Sequence, residues 1–443
     1  MDWQISSEEI LRVARALIRV RSVRETAQPG APFGPSVRKA FDAFFAEAQR
    51  LGLTRQHDDD GYAAEIEIGQ GDEIVGVLVH LDVVPEGDGW TVPPYAGTVQ
   101  GGRLFGRGAI DDKGPAAAAL IALAAVAAQG PKLNRRVRLI AGGDEESFWQ
   151  CMEHYLQNRE RPQLGFTPDG DFPLVHGEKG GLSLRLERAA QLPQRYALEA
   201  GQQPNVVPDH ARVELAQPLP TEAVQEMAKE LGVQVVPDSD EPRRVFDVLG
   251  QAAHASQPDQ GVNAIREAHR LFGQKLYDPL LDLLVADDYG EALGIACTDE
   301  RLGRLTVNLG MLRHDATATK AWLDIRYPTA IDADDIVRLV QERLAPLGVT
   351  VAVEFQAKPH WVAPEDPLVQ SLLEVYRRHT GDFTPPLVIG GLTYARTLGH
   401  AVAFGPQFPG RQDVAHQADE SVSVADLEVA ARIYADAIIA LAI

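Results

Sequence analysis

The stretch from Val77 to Gly114, VLVHLDVVPEGDGWTVPPYAGTVQGGRLFGRGAIDDKG, constrains this chain more than any other. The apolar run Ile74 to Val79 reads as a buried strand, and it ends in His80-Leu81-Asp82. A Gly/Pro-rich loop then leads to Asp111-Asp112-Lys113-Gly114. These stand at the mouth of an alanine-rich helix expected over Pro115 to about Ala128, with its proline in the first turn, where helices accept it. An imidazole at the end of a buried strand and a carboxylate just ahead of a helix fall on one rim of a sheet. Open α/β sheets carry their sites on that rim.

The pattern recurs along the chain. The run Val137 to Ala141 ends in Gly142-Gly143-Asp144-Glu145-Glu146, and Leu164 to Thr167 ends in Pro168-Asp169. Near the far end, Asp413-Val414-Ala415-His416 follows Phe404-Gly405. The collected groups are His80, Asp82, Asp111, Glu145, Glu146, Asp169 and His416. Two imidazoles with several carboxylates are a donor set that zinc, manganese or cobalt accepts, and one too rich in nitrogen for a dedicated magnesium or calcium site. Taken singly, His80 reads as a hydrogen-bonded strand end and Asp144-Glu145-Glu146 as a solvated charge run. Taken together, acids at the ends of apolar strands repel one another unless a cation lies between them.

At 443 residues the chain exceeds one ordinary core. From about Leu182 the texture changes to alternating strands (LSLRLER, ARVELA), with helices near Glu222 to Leu231 and Asn263 to Leu276. Strand signals at Leu305 to Leu312 and Ala321 to Arg326 follow, then a helix over Asp332 to Leu347 and a strand over Thr350 to Phe355. After Pro359 the first pattern returns, with helices at Pro367 to His379 and Val424 to Ile439. The expected architecture is an α/β domain built from residues 1–182 plus 359–443, interrupted by an α+β domain over 183–358.

Lys+Arg total 42 against Asp+Glu 63, a net charge of −21, which opposes binding to nucleic acid or an anionic membrane. Two cysteines, Cys151 and Cys297, support neither a disulfide framework nor a cysteine zinc site, and suit a reducing cytoplasm. The first twenty or so residues read as an amphipathic helix capped by Ser6 and Glu9, not as a signal peptide or membrane span. The chain has no HExxH, GxSxG or P-loop motif.

The segments HLDVVPEGDGW, GRGAIDDKGP, GDEES, GFTPDGDFP, GQQPNVVPD, AAHASQPDQGVNAI, RYP, GGLTYAR and FGPQFPGRQDVAHQADE run in order over nearly the whole chain. They resemble the motifs of the aminoacylase and carboxypeptidase G-like metallopeptidase family, and more closely its PepV-type dipeptidase branch, which includes carnosinase-like enzymes. The resemblance implies a zinc-peptidase-like catalytic domain, a mixed sheet flanked by helices, with an inserted α+β lid. It implies two divalent ions, zinc first and manganese or cobalt as options, bridged by Asp111. His80 and Asp169 would complete one site, and Glu146 and His416 the other. A water held between the ions would be the nucleophile. Glu145 would be the general base, and Asp82 would accept the other ring N–H of His80.

From the lid, the resemblance implies His254 as donor to the oxyanion with Asn205 as its partner. Arg326, helped by backbone N–H groups of Gly390, Gly391, Leu392 and Thr393, would clamp the substrate carboxylate. It also implies a cis peptide between Asp111 and Asp112. Phe148, Asp171 and Leu392 depart from the branch pattern, and Leu392 bears on the shape of the carboxylate pocket. The implied activity is metal-dependent hydrolysis of dipeptides with free termini. The alternatives are deacylation of an N-acyl amino acid of acyl-diaminopimelate or acyl-ornithine type, and a non-catalytic metal-binding protein, which the complete set of ligands and Glu145 argues against. The expected partner is a small peptide substrate. A monomer is expected because 183–358 exceeds a single lid unit of about 100 residues, so that His254 serves its own chain and lid closure gates the site.

Overall fold

In the computed structural model, which describes residues 3–189, 196–237, 243–273 and 278–443, the apolar runs become adjacent parallel strands. Ile74–His80 lies between Arg136–Gly142 on one side and Leu164–Thr167 on the other, and Ala401–Ala403 pairs in parallel beyond the latter. The antiparallel strands Ala63–Gly69 and Gln56–Asp59 extend the sheet past Arg136–Gly142. Every residue of Ile74–His80 is buried, which explains an apolar run without alternation. The register pairs His80 with Gly142 and Val77 with Phe166. His80-Asp82, Glu145-Glu146 and Asp169 therefore leave the sheet at the same rim.

These strands belong to a unit of residues Met1–His176, Val362–Leu387 and Thr393–Ile443. The alanine-rich helix spans Lys113–Gln129, two residues ahead of Pro115, so Asp111 and Asp112 directly precede its N-terminus. It is apolar all round and almost wholly buried, packing on the helices Ser7–Ile18 and Val424–Ala442 and on the strand Ile74–His80. Gly114 permits the tight entry, because a Cβ there would lie 2.1 Å from the Ala109 carbonyl oxygen. The peptide Asp111–Asp112 is cis.

The second unit comprises Gly177–Trp361 with Val388–Leu392. Its eight antiparallel strands run in the order Gln234–Pro237, Arg243–Leu249, His210–Leu219, Tyr196–Ala200, Thr306–His314, Ala318–Tyr327, Gly180–Ala189, Thr350–Ala357. His210–Leu219 begins with strict alternation of exposed and buried residues, as a sheet with one covered face requires. Helices Thr221–Leu231, Ala264–Phe272 and Ala333–Leu344 contribute to its core. The helix expected over 263–276 is Ala264–Phe272, and residues 274–276 lie outside the described residues. Both cysteines are free, and no described helix is long and apolar enough to cross a membrane.

Candidate active site

His80 closes its strand with a fully buried ring, and its backbone N–H donates to Asp112 Oδ2 at 3.1 Å. Ring Nδ1 lies 3.0 Å from the Asp82 carbonyl oxygen. A carbonyl only accepts, so Nδ1 carries the proton and Nε2 is the nitrogen turned toward the carboxylates. Nε2 is 2.8 Å from Asp111 Oδ1 and 3.9 Å from Asp169 Oδ2. The Asp82 carboxylate, expected to accept that ring N–H, stands beside the same nitrogen, farther off than the carbonyl. It stands 3.5 Å from the ring because its two oxygens accept the backbone N–H groups of Glu145 and Glu146, each at 3.1 Å. Asp82 orients His80 through its main chain and shapes the Glu145-Glu146 turn through its side chain.

Asp111 has an imidazole at each oxygen, with Oδ1 on His80 and Oδ2 at 3.0 Å from His416 Nε2. That same His416 nitrogen is 3.0 Å from Glu146 Oε1. Donor atoms of His80, Asp111 and Glu146 lie within 4.8 Å of one another, as do those of His80, Glu145 and Asp169. All five expected ligands and Glu145 therefore gather in the first unit. Burial, then Asp169 and the other carboxylates nearby, push Glu145 well above the ordinary carboxylate range. Burial and Asp111 raise Asp169 to about 7. For Asp111 burial also acts upward, but His416 and His80 together outweigh it and hold the group low. Acids crowded in this way call for a cation.

Asn205 and His254 are neighbours in the second unit, where Ala255 N donates to the Asn205 carbonyl at 3.0 Å and Val206 bridges to His254. Ser256 N donates to His254 Nδ1 at 3.1 Å, which leaves the ring proton on Nε2. Gly390 lies against Ser256, since an added Cβ would meet the Ser256 Cβ at 2.3 Å. Arg326, expected as a carboxylate clamp, is partnered within its own unit. Its Nε and Nη2 grip Asp324 at 2.6 and 3.0 Å, and Nη1 donates to the Gly390 carbonyl at 3.0 Å. Asp324 precedes it by two positions on the same strand face, so the bidentate fork is already engaged. The loop expected to act as one piece is divided. Gly390, Gly391 and Leu392 fall in the second unit, and Thr393 is buried in the first, accepting from Ala395 N at 3.2 Å. Of the departures from the branch pattern, Phe148 is exposed with Arg24 over its ring at 5.1 Å.

Sequence reasoning missed two residues that frame this centre, Arg107 and Glu420. They form a buried ion pair with Arg107 Nη1 at 2.6 Å from Glu420 Oε2. The available signal was an arginine between glycines just ahead of Asp111 and an acid four residues beyond His416.

The profile described as Peptidase family M20/M25/M40 matches residues 76–440. The chain belongs to the M20/M25/M40 peptidase family. As a member it is a hydrolase acting on peptide bonds. It is 36% identical to "Putative dipeptidase YtjP" of Bacillus subtilis over the whole of both chains. It is 34% identical to "Putative dipeptidase SSP1012" of Staphylococcus saprophyticus, covering 97% of this chain and 96% of that one. Among solved structures, an M20 family metallo-carboxypeptidase of Sulfolobus solfataricus aligns with TM-score 0.60 at 18% identity, covering 97% of this chain and 98% of its own. Human carnosine dipeptidase 1 aligns with TM-score 0.58 at 15% identity, covering 98% and 97%. These structural likenesses establish the zinc-peptidase-like fold with its lid domain.

Proposed function

We propose that this M20 peptidase is a metal-dependent dipeptidase that cleaves dipeptides with free termini. His80, Asp111, Glu146, Asp169 and His416 would hold two divalent ions, zinc first. The observation that carries this reading is Asp111, whose two oxygens face two different imidazoles at 2.8 and 3.0 Å. A carboxylate shared in that manner has the arrangement of a bridging ligand. The surrounding imidazole nitrogens and carboxylate oxygens are donors that zinc, manganese and cobalt accept. Bound there, the two ions would acidify a water and polarise the scissile carbonyl.

The chain's own residues supply the proton traffic and the orientation. Glu145 takes the proton from the attacking water and hands it to the leaving amine, a role helped by the upward push that burial gives its carboxyl. Asp82 keeps Glu145 and Glu146 in place through their backbone N–H groups. His254, protonated on Nε2, serves as donor to the oxyanion, with Asn205 beside it. Arg326 and the Gly390-Gly391 segment anchor the substrate carboxylate, with Arg326 acting mainly by fixing the segment through Gly390. Thr393 completes that pocket.

The names of the full-length relatives support dipeptides over N-acyl amino acids as substrates. Working as a monomer, with His254 given in cis, and a cytoplasmic location belong to the same reading. Metal analysis of the purified protein, with rates on a dipeptide, its C-terminal amide and an N-acetyl amino acid, tests the whole. Two ions per chain and fastest turnover of the free dipeptide are expected. Faster turnover of the N-acetyl amino acid would move the assignment to a deacylase, and equal rates on dipeptide and amide would remove the carboxylate pocket. Mixing the inactive variants His254→Ala and Glu145→Gln should restore nothing. Recovery would mean that the histidine is supplied by a partner copy.

A further inference from the structure

His416 and Asp419 both have positive φ, 63° and 58°, without being glycine. Each such residue costs about 1–3 kcal/mol and persists only where its surroundings hold it. The turn is held by Arg107. Its Nη2 donates to the His416 carbonyl at 3.1 Å, and its Nη1 to the Gln417 carbonyl at 3.3 Å and to Glu420 Oε2 at 2.6 Å. The other Glu420 oxygen, Oε1, accepts from Ile110 N at 3.0 Å and Asp111 N at 3.3 Å. Arg107 Nη2 also reaches the carbonyls of Pro85 and Glu86 at 3.3 and 3.2 Å, and its guanidinium lies 5.4 Å over the Trp90 ring. Asp419 closes the far side by accepting from Thr91 N and Oγ1 at 2.8 and 2.9 Å.

One buried pair therefore grips the backbone of Asp111 and the backbone of His416 at the same time. We propose that Arg107 and Glu420 are positioning residues that set the Asp111–His416 separation and so hold together the Glu146–His416 half of the metal centre. The inference rests on the two-ion reading above and deepens it. Neither residue belongs to the expected set of five ligands. The His80–Asp169 half depends on them less, through the shared Asp111 alone, because His80 itself is fixed by Asp82 and Asp112.

The test compares Glu420→Gln, which keeps an oxygen for the Asp111 N–H but removes the charge, with Arg107→Lys, which keeps the charge but loses the fork. Zinc titration of each full chain, after chelation and monitored for intact folding by circular dichroism, reads two dissociation constants. The expected result is one constant raised at least about tenfold, the scale of outer partners of metal ligands, with the other raised by less. Lost turnover should return on adding excess zinc, with the KM for dipeptide little altered. If Arg107→Lys does not fold, Glu420→Gln alone decides. Two constants equal to those of the parent overturn the inference and leave the two-ion reading standing. A parent that binds fewer than two ions overturns both.

Discussion

Around Asp111, four carboxylates and two imidazoles face one another, and among the described residues none of Asp111, Glu145, Glu146 and Asp169 has an arginine or lysine ion pair. In the second unit the polar groups singled out are already matched. Arg326 is locked on Asp324, and His254 is held by Ser256. The first arrangement spends folding stability to keep negative charge concentrated, and it makes chemical sense only with cations bound. The second holds its groups by ordinary pairing, so a lost partner there should register as stability before it registers as chemistry.

The largest effect that separates the two regions is expected at Asp111. Asp111→Asn should lower kcat/KM by on the order of a thousandfold, about 4 kcal/mol of transition-state stabilisation, and reduce bound metal with it. Retained metal together with retained activity would dissolve the contrast. Next comes Arg326→Gln. It leaves the Asp324 carboxylate buried and uncompensated, which should cost about 3–5 kcal/mol in urea unfolding as well as raising KM. A raised KM with unchanged stability would make Arg326 a free substrate clamp after all.

The smallest effect concerns Lys113, whose buried Nζ donates to the Val20 carbonyl at 2.7 Å. Burial lowers its pKa from 10.5 to about 7. Between those values the unfolded chain binds the proton and the folded chain does not. Stability therefore rises with pH across the window, and the contribution present above the unfolded value is lost as pH falls through about 7. Lys113→Met should flatten the rise of the urea midpoint between pH 7 and pH 9 relative to the parent. An equal slope in both proteins would show that this ammonium is not the source.

What the sequence made legible follows from range. His80, Glu145, Glu146 and Asp169 could be read because each ends an apolar run, and parallel pairing of buried strands forces such ends together. The Asp111 site could be read from the helix that starts behind it. Spacing puts Asp82 beside His80, but whether its carbonyl or its carboxylate makes the shorter contact with the ring is decided by turn geometry that spacing does not encode. The Arg326–Asp324 pair is within reach of the period-two rule, since residues two apart on a strand share a face. Arg107 and Glu420 are 313 positions apart, and no local pattern announces a pair closed only by the tertiary fold.

Glu145 is the residue on which the division of labour turns, because its carboxylate lies within 4.8 Å of donor atoms of His80 and Asp169, close enough to share an ion with them, while its proposed role is proton transfer. The decisive measurement is metal content and single-turnover rate of Glu145→Gln beside the parent. As a base, the variant keeps both ions and loses about 10²–10⁴-fold in rate. A variant that loses an ion would make Glu145 a ligand, and one that turns over dipeptide at the parental rate would contradict the account.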